Sequence, residues 1–191
     1  MKNLDTVVKY DSPFLEFVQT RYVDQAGQIK KWNWCRRPNG TKAVVIAAIV
    51  DIPKNTIMGM STIPHLVVIK EFRVPLNDYE YGFPAGLIDP GESIESAIRR
   101  ELEEETGLKI TKINHISPPV VSSAGISDES IYMAYVRATG TPNKEKLEAS
   151  EDIETMLLTR GEVCDLLQTP GIIFGKSAYC VMKCFSEFGS I

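Results

Sequence analysis

The stretch Gly86–Leu108, GLIDPGESIESAIRRELEEETGL, constrains this chain more than any other. It opens as a turn, because in Asp89-Pro90-Gly91 the proline fixes one dihedral and the glycine permits the next. A helix is expected from about Ser93 to Glu105, with Ser93 as N-cap and Gly107 at the position that ends it. Ile94, Ala97, Ile98 and Leu102 form one apolar stripe at helical spacing. Glu101 and Glu105 continue that stripe, with Glu104 on its flank. The inward face is thus apolar for two turns and carboxylate after that. These acids repel one another and sit where the helix dipole disfavours negative charge. Arg100 can pair with Glu104 one turn on, which leaves Glu101 and Glu105 uncompensated. Inward carboxylates need protons or cations, and hard oxygen ligands at this density suit Mg²⁺ or Mn²⁺. A solvated acidic face is the competing reading of such a run.

The rest of the chain reads as strands around that helix. Residues 15–23 and 28–37 are expected as a hairpin turned at Ala26-Gly27. Within it Trp32 and Trp34 share a face, either as core aromatics or as a stacking surface beside Arg36-Arg37. Pro38-Asn39-Gly40 breaks the chain, dividing a hairpin extension over 1–40 from a main domain over 41–191. Ala43–Val50 is a continuous apolar run, hence a strand buried on both faces. Residues 52–64, with two prolines and a glycine, are expected as a loop. Further strands are expected over 65–73, 109–116, 131–137 and 153–158. The loop 139–152 is polar, with few apolar anchors, and is expected to be mobile. Thr159 and Glu162 form a capping-box pair opening a short helix, and residues 176–188 form a closing helix stopped by Gly189. Strands before and after one central helix, with more helix at the end, predict a mixed α/β layered domain.

Composition narrows the function. The net charge of −4 carries no nucleic-acid footprint, so an anionic phosphate ligand would need local positive charge or metal. The four cysteines have no CxxC spacing and the two histidines lie far apart, which argues against zinc. Cys180 and Cys184 are expected to pack on one side of the closing helix. The absence of a signal-like start or an apolar run of about 20 residues predicts a cytoplasmic protein with reduced thiols and no membrane span.

Gly86, Glu92, Arg100, Glu101, Leu102, Glu104, Glu105, Gly107 and Leu108 match every fixed position of the Nudix box, G-x5-E-x7-R-E-U-x-E-E-x-G-U. A chance match is on the order of one in 10⁸ per window at average residue usage. The chain therefore resembles the Nudix hydrolases, which implies their mixed sheet between helices with the box as loop-helix-loop. The flanking EFRVPLNDYEYGFPAGLIDPGE is similar to the branch acting on nucleoside diphosphate sugars, especially ADP-ribose pyrophosphatases.

That resemblance implies roles. The Ala85 carbonyl, Glu101 and Glu105 would hold Mg²⁺, with Glu104 a further ligand or a base. Gly86, Glu92, Arg100 and Gly107 would be structural, Arg100 anchoring the loop through Glu92. Arg73 would grip the substrate. Trp32 and Arg37 would bind its adenine and phosphate end, the hairpin also forming a homodimer. Glu129 would contact substrate from the Ser127-Asp128-Glu129 segment. Glu151 would orient or deprotonate the attacking water, with Asp152 and Glu154 as alternatives. Ala124-Gly125 stands where many ADP-ribose enzymes carry Pro-Gly, which leaves the sugar open. Competing readings are a Nudix enzyme that clears nucleoside triphosphates and a module that binds nucleotide sugars without cleaving them.

Overall fold

The computed structural model describes residues 1–57 and 59–191. Two sheets share the chain. The first holds β1 (Lys2–Asp11), β2 (Glu16–Val23) and β3 (Ile29–Arg36), antiparallel and in that order. β2 and β3 are the expected hairpin. Asp24 Oδ1 accepts from the amides of Ala26 and Gln28 at 2.9 Å, and Gly27 takes a φ of +78° to close the turn. β1 was not expected. All of its residues are exposed, so no buried face marks it in the sequence.

A 3₁₀ turn at Pro38–Gly40 leads to β4 (Ala43–Thr56) and β5 (Gly59–Arg73), which pair antiparallel. The segment 52–64 is therefore the outer half of a long hairpin and not the expected loop, position 58 lying outside the described residues. Pro53 stands opposite Thr62 and Pro64 opposite Asp51, two register steps apart and so at the same phase of the ladder. Both prolines can then fall where the strand's N–H points away from its partner, and neither breaks the pairing.

The chain continues through β6 (Asp78–Gly82), β7 (Ala85–Leu87), α1 (Ile94–Thr106), β8 (Lys109–Ile116), β9 (Val120–Val121), β10 (Ser130–Thr139) and β11 (Ile153–Leu158). It ends with α2 (Arg160–Gln168), β12 (Ile173–Phe174) and α3 (Lys176–Phe188). The second sheet runs β12-β6-β5-β4-β10-β8, with β11 also on β5, β7 on β4 and β9 on β10. Pairings β10–β4 and β12–β6 are parallel and the others antiparallel, so the sheet is mixed.

β4 feeds both layers. Its Val44, Ile46, Ala48 and Val50 pack with Ala97, Ile98 and Leu102 of α1. Its Ala47 and Ile49 pack with Val163 of α2 and with Ala178, Met182 and Phe185 of α3. The sheet is thus sandwiched between helices, each large side chain buried there contributing about 1.5–3 kcal/mol. Cys180 and Cys184 are exposed, contrary to expectation, because the buried stripe of α3 is Ala178, Met182 and Phe185 and the cysteines fall outside it. Among the described residues no helix is long and apolar enough to cross a membrane.

The loop between β9 and β10 stitches the two sheets together. Cys35 donates its amide to the Ile126 carbonyl at 2.8 Å, and Trp32 donates its indole N–H to the Gly125 carbonyl at 3.2 Å.

Candidate active site

Helix α1 starts and stops where its sequence says it should. Ser93 Oγ accepts from the Ser96 amide at 3.1 Å, and Gly107 closes the helix at φ +73° with its amide on the Glu103 carbonyl. The turn before it is held by Arg100. The guanidinium donates to Glu92 through Nη2 at 2.8 Å and Nε at 3.1 Å, and to the Leu87 carbonyl at 2.9 Å. The Arg100 hydrogen bonds pull the Glu92 carboxyl down to about 2. Nη1 of Arg100 reaches Glu101 at 2.8 Å and Glu104 at 3.1 Å. Glu101 is thus not uncompensated, as the helix periodicity alone suggested: the arginine reaches its immediate neighbour as well as the residue one turn on.

Glu101 and Glu105 are buried, 8% and 4% exposed, on the apolar face as expected. Burial pushes the Glu105 carboxyl up to about 9, against one hydrogen bond from the Ala85 amide at 3.1 Å, with the charges of Glu71, Glu151 and Glu101 adding to the rise. Burial likewise raises Glu101, opposed by Arg100. Gly86 makes room for this arrangement: a Cβ there would stand 2.1 Å from Glu101 Oε1. Gly107 does the same for the loop 139–152, because a Cβ would meet the Asn143 side chain at 2.2 Å.

Further charges gather at the end of β5. Arg73 pairs with Glu71 at 2.6 Å and with Glu80 at 3.0 Å, and Arg37 pairs with Glu129 at 3.0 Å. Burial raises Glu71, against Arg73 and with Glu80 and Glu151. Burial also raises Glu151, whose carboxylate accepts from the Glu148 amide at 3.2 Å and feels Glu104 and Arg73. Glu71 and Glu80 escaped the sequence reading. Glu71 could have been found, since it lies two residues before Arg73 and strand alternation puts both on one face. Nothing local marks Glu80. The loop 139–152 has polar hooks in place of apolar anchors: Asn143 donates its amide to the Thr106 carbonyl at 3.0 Å, and Lys146 pairs with Glu103 at 2.8 Å.

Among the described residues no three carboxylate, His or Cys side chains already converge as a metal cage. Glu101 is turned to Arg100 and Glu105 to the Ala85 amide. The donor set still fits a hard divalent cation. Glu101, Glu104, Glu105 and the Ala85 carbonyl offer only oxygens, and the missing Cβ at Gly86 lets the Glu101 carboxylate lie against the backbone next to Ala85.

Two cavities lie nearby, the first reaching the start of the box. A cleft of about 500 Å³ is lined by Ala85, Gly86, Arg37, Arg73, Glu129 and Lys176 among others. A second cavity of about 530 Å³ is lined by Tyr22, Trp32, Trp34, Thr20, Ala124 and Asp128 among others. Val121 lines both. Trp32 is 51% exposed, so it is not a core aromatic, and Trp34 is held by its indole N–H on Thr20 Oγ1 at 2.8 Å.

A layered mixed sheet carrying the complete box on a strand end, one helix and its flanking turns defines a class, and the family model for the NUDIX domain matches residues 57–171. The chain belongs to the Nudix hydrolase family. It is 31% identical over 134 residues to a mouse ADP-sugar pyrophosphatase, covering 68% of this chain and 58% of that protein. It is 29% identical over 140 residues to an ADP-ribose pyrophosphatase of Bacillus subtilis, covering 73% and 69%. Over 71 residues it is 45% identical to the ADP compounds hydrolase NudE of Escherichia coli, covering 37% and 32%. The chain thus spans under two thirds of the mouse and E. coli relatives. A crystal structure of an ADP compounds hydrolase superposes over 100% of this chain and 98% of its own, with a TM-score of 0.73 at 22% identity, a likeness of fold.

Proposed function

We propose that this Nudix hydrolase is a Mg²⁺-dependent pyrophosphatase, Mn²⁺ serving in its place, that cleaves ADP-ribose or a related nucleoside diphosphate sugar. The products are a nucleoside monophosphate and a sugar phosphate. The observation that carries this reading is the meeting of two unlike cavities at Val121, one aromatic and one bearing three cations and Ala85-Gly86 at the start of the box. A ligand with a flat base at one end and a diphosphate next to it suits that pair. The names of the mouse and B. subtilis relatives point the same way.

In this reading Trp32 stacks on the base. Arg37 and Arg73 exchange Glu129 and Glu80 for phosphate oxygens, gaining charge-assisted hydrogen bonds of the same kind. Glu129 then orients the substrate. Glu101, Glu104, Glu105 and the Ala85 carbonyl hold the cation. When bound, such a cation neutralises the diphosphate and lowers the pKa of water at its surface. Water attacks one phosphorus in line, an oxygen–phosphorus bond forms as the bridging one breaks, and Glu151 takes the water's proton. Glu92, Arg100, Gly86 and Gly107 shape the box and touch no substrate. A homodimer through the first sheet belongs to the same reading, supported by exposed Tyr10 and Phe17 facing each other across β1 and β2.

The test is turnover of a panel of nucleotide sugars and nucleoside triphosphates with Mg²⁺. Fastest cleavage of an ADP-sugar supports the reading. Preference for triphosphates, or tight ADP-ribose binding without turnover, overturns it.

A further inference from the structure

Tyr79, on β6, lies directly opposite Phe72 of β5 and stands edge-on to its ring at 5.5 Å between centroids. Its hydroxyl passes across that ring and donates to Asp152 Oδ2 at 2.6 Å. Asp152 comes just before β11, on the other edge of β5, and there its carbonyl accepts the Phe72 amide at 3.1 Å. One residue at the end of the loop 139–152 is thus fastened twice, by main chain and by side chain. Lys70 Nζ, 4.6 Å from the Tyr79 ring centre, holds the ring from the strand below.

Strand alternation separates this fastening from the chemistry. Tyr79, Phe72 and Asp152 share one face of the sheet, while Glu71 and Arg73 point to the other. Glu151 belongs to that second group, since it responds to the charges of Arg73 and Glu104. The tyrosine hydroxyl therefore lies outside the cleft, and what it sets is the backbone direction of the neighbouring acid. On the far side, among the described residues, Glu151 has only the short turn to Glu148, through its amide at 3.1 Å and its carboxylate at 3.2 Å. That turn lies wholly within the loop and ties the acid to no strand or helix.

We propose that Tyr79 is a positioning residue: by holding Asp152 across β5 it fixes where Glu151 presents its carboxylate to the water that attacks the diphosphate. This rests on the reading of Glu151 given above. A group misplaced by about 1 Å loses on the order of 10²-fold, so a latch of this kind has a measurable share of the rate.

The test uses the full chain with Mg²⁺ and ADP-ribose. Tyr79→Phe keeps the ring and removes only the latch. It should lower kcat about tenfold and leave KM within about twofold. Asp152→Ala should match it, and Asp152→Asn, which retains an acceptor, should stay near wild type. Adding Tyr79→Phe to Glu151→Gln should cost nothing further, because the residue it positions has lost its function. A wild-type kcat for Tyr79→Phe, a change in KM alone, or a full additional loss in the double variant would each overturn the proposal. A slow Glu151→Gln beside a normal Tyr79→Phe refutes this inference alone, whereas a normal Glu151→Gln refutes the assignment beneath it.

Discussion

The carboxylate of Glu101 fills the space where a side chain at Gly86 would begin, 2.1 Å from the position of its Cβ. Gly86 has no left-handed φ, so alanine meets no backbone strain there, and the atoms in its way are the far end of a movable side chain. Gly86→Ala should therefore fold normally while displacing Glu101 from the box. The expected outcome is a Mg²⁺ concentration for half-maximal activity raised at least tenfold, with melting temperature within a few degrees of wild type. A variant that melts much earlier with unchanged Mg²⁺ dependence would contradict it.

Glu105 links the site to pH. Its folded value of about 9 lies above the ordinary 4.5, so between those limits the unfolded chain releases a proton that the metal-free folded chain keeps. Metal-free stability must then fall as pH rises through that window, being unaffected below about 4.5. Melting temperatures from pH 5 to pH 9 should decline, and less steeply for Glu105→Gln. Mg²⁺ should raise the melting temperature most at the alkaline end, where it competes against the fewest protons. Glu105→Gln should also nearly abolish turnover. A flat profile, or normal turnover in the variant at saturating Mg²⁺, counts against the assignment.

Much of this was legible in the chain itself. Helix α1, its caps and its buried acids follow from 3.6-residue periodicity and from Ser93 and Gly107, which are local signals. β8, β11 and α3 likewise have the expected bounds. β1 was invisible because a strand without a buried face carries no alternation. The outer part of the β4–β5 hairpin was hidden by prolines, whose cost depends on ladder phase and not on their presence. The pairs Arg37–Glu129 and Tyr79–Asp152 join residues 92 and 73 positions apart, and no local pattern announces such partners.

Glu151→Gln should lower kcat by about 10²–10⁴-fold, the range for a general base, with KM nearly unchanged. Metal binding should persist, which isothermal titration with Mn²⁺ can read directly. A near-normal kcat would move the role to Glu104, because Asp152 and Glu154 lie on the face of Tyr79 and away from Arg73.

Trp32 is half exposed, so its removal should spare the fold. If it stacks on the base, Trp32→Ala should weaken substrate binding by about 1–3 kcal/mol, seen as a higher KM with kcat retained. Loss of cooperative unfolding in the variant would instead mark it as a packing residue.

Tyr10 and Phe17, 68% and 40% exposed, form a cross-strand apolar pair on the first sheet. Light scattering should report a dimer for the wild type and a monomer for a Tyr10→Lys, Phe17→Lys variant. An unchanged mass in the variant would remove that sheet from the interface.

Arg100 already shares its one positive charge among the carboxylates around the box, Glu92, Glu101 and Glu104 closely and Asp89 at 4.0 Å. The arginine is a resident understudy for the cation. Loading and unloading the helix can then proceed as an exchange of partners, with Glu101 passing between a fixed positive charge and a diffusible one. At no stage need a bare anion stand alone in a dry layer, where its desolvation would cost several kcal/mol. If the box holds a cation as proposed, it can be emptied after each turnover without loosening the helix at its centre.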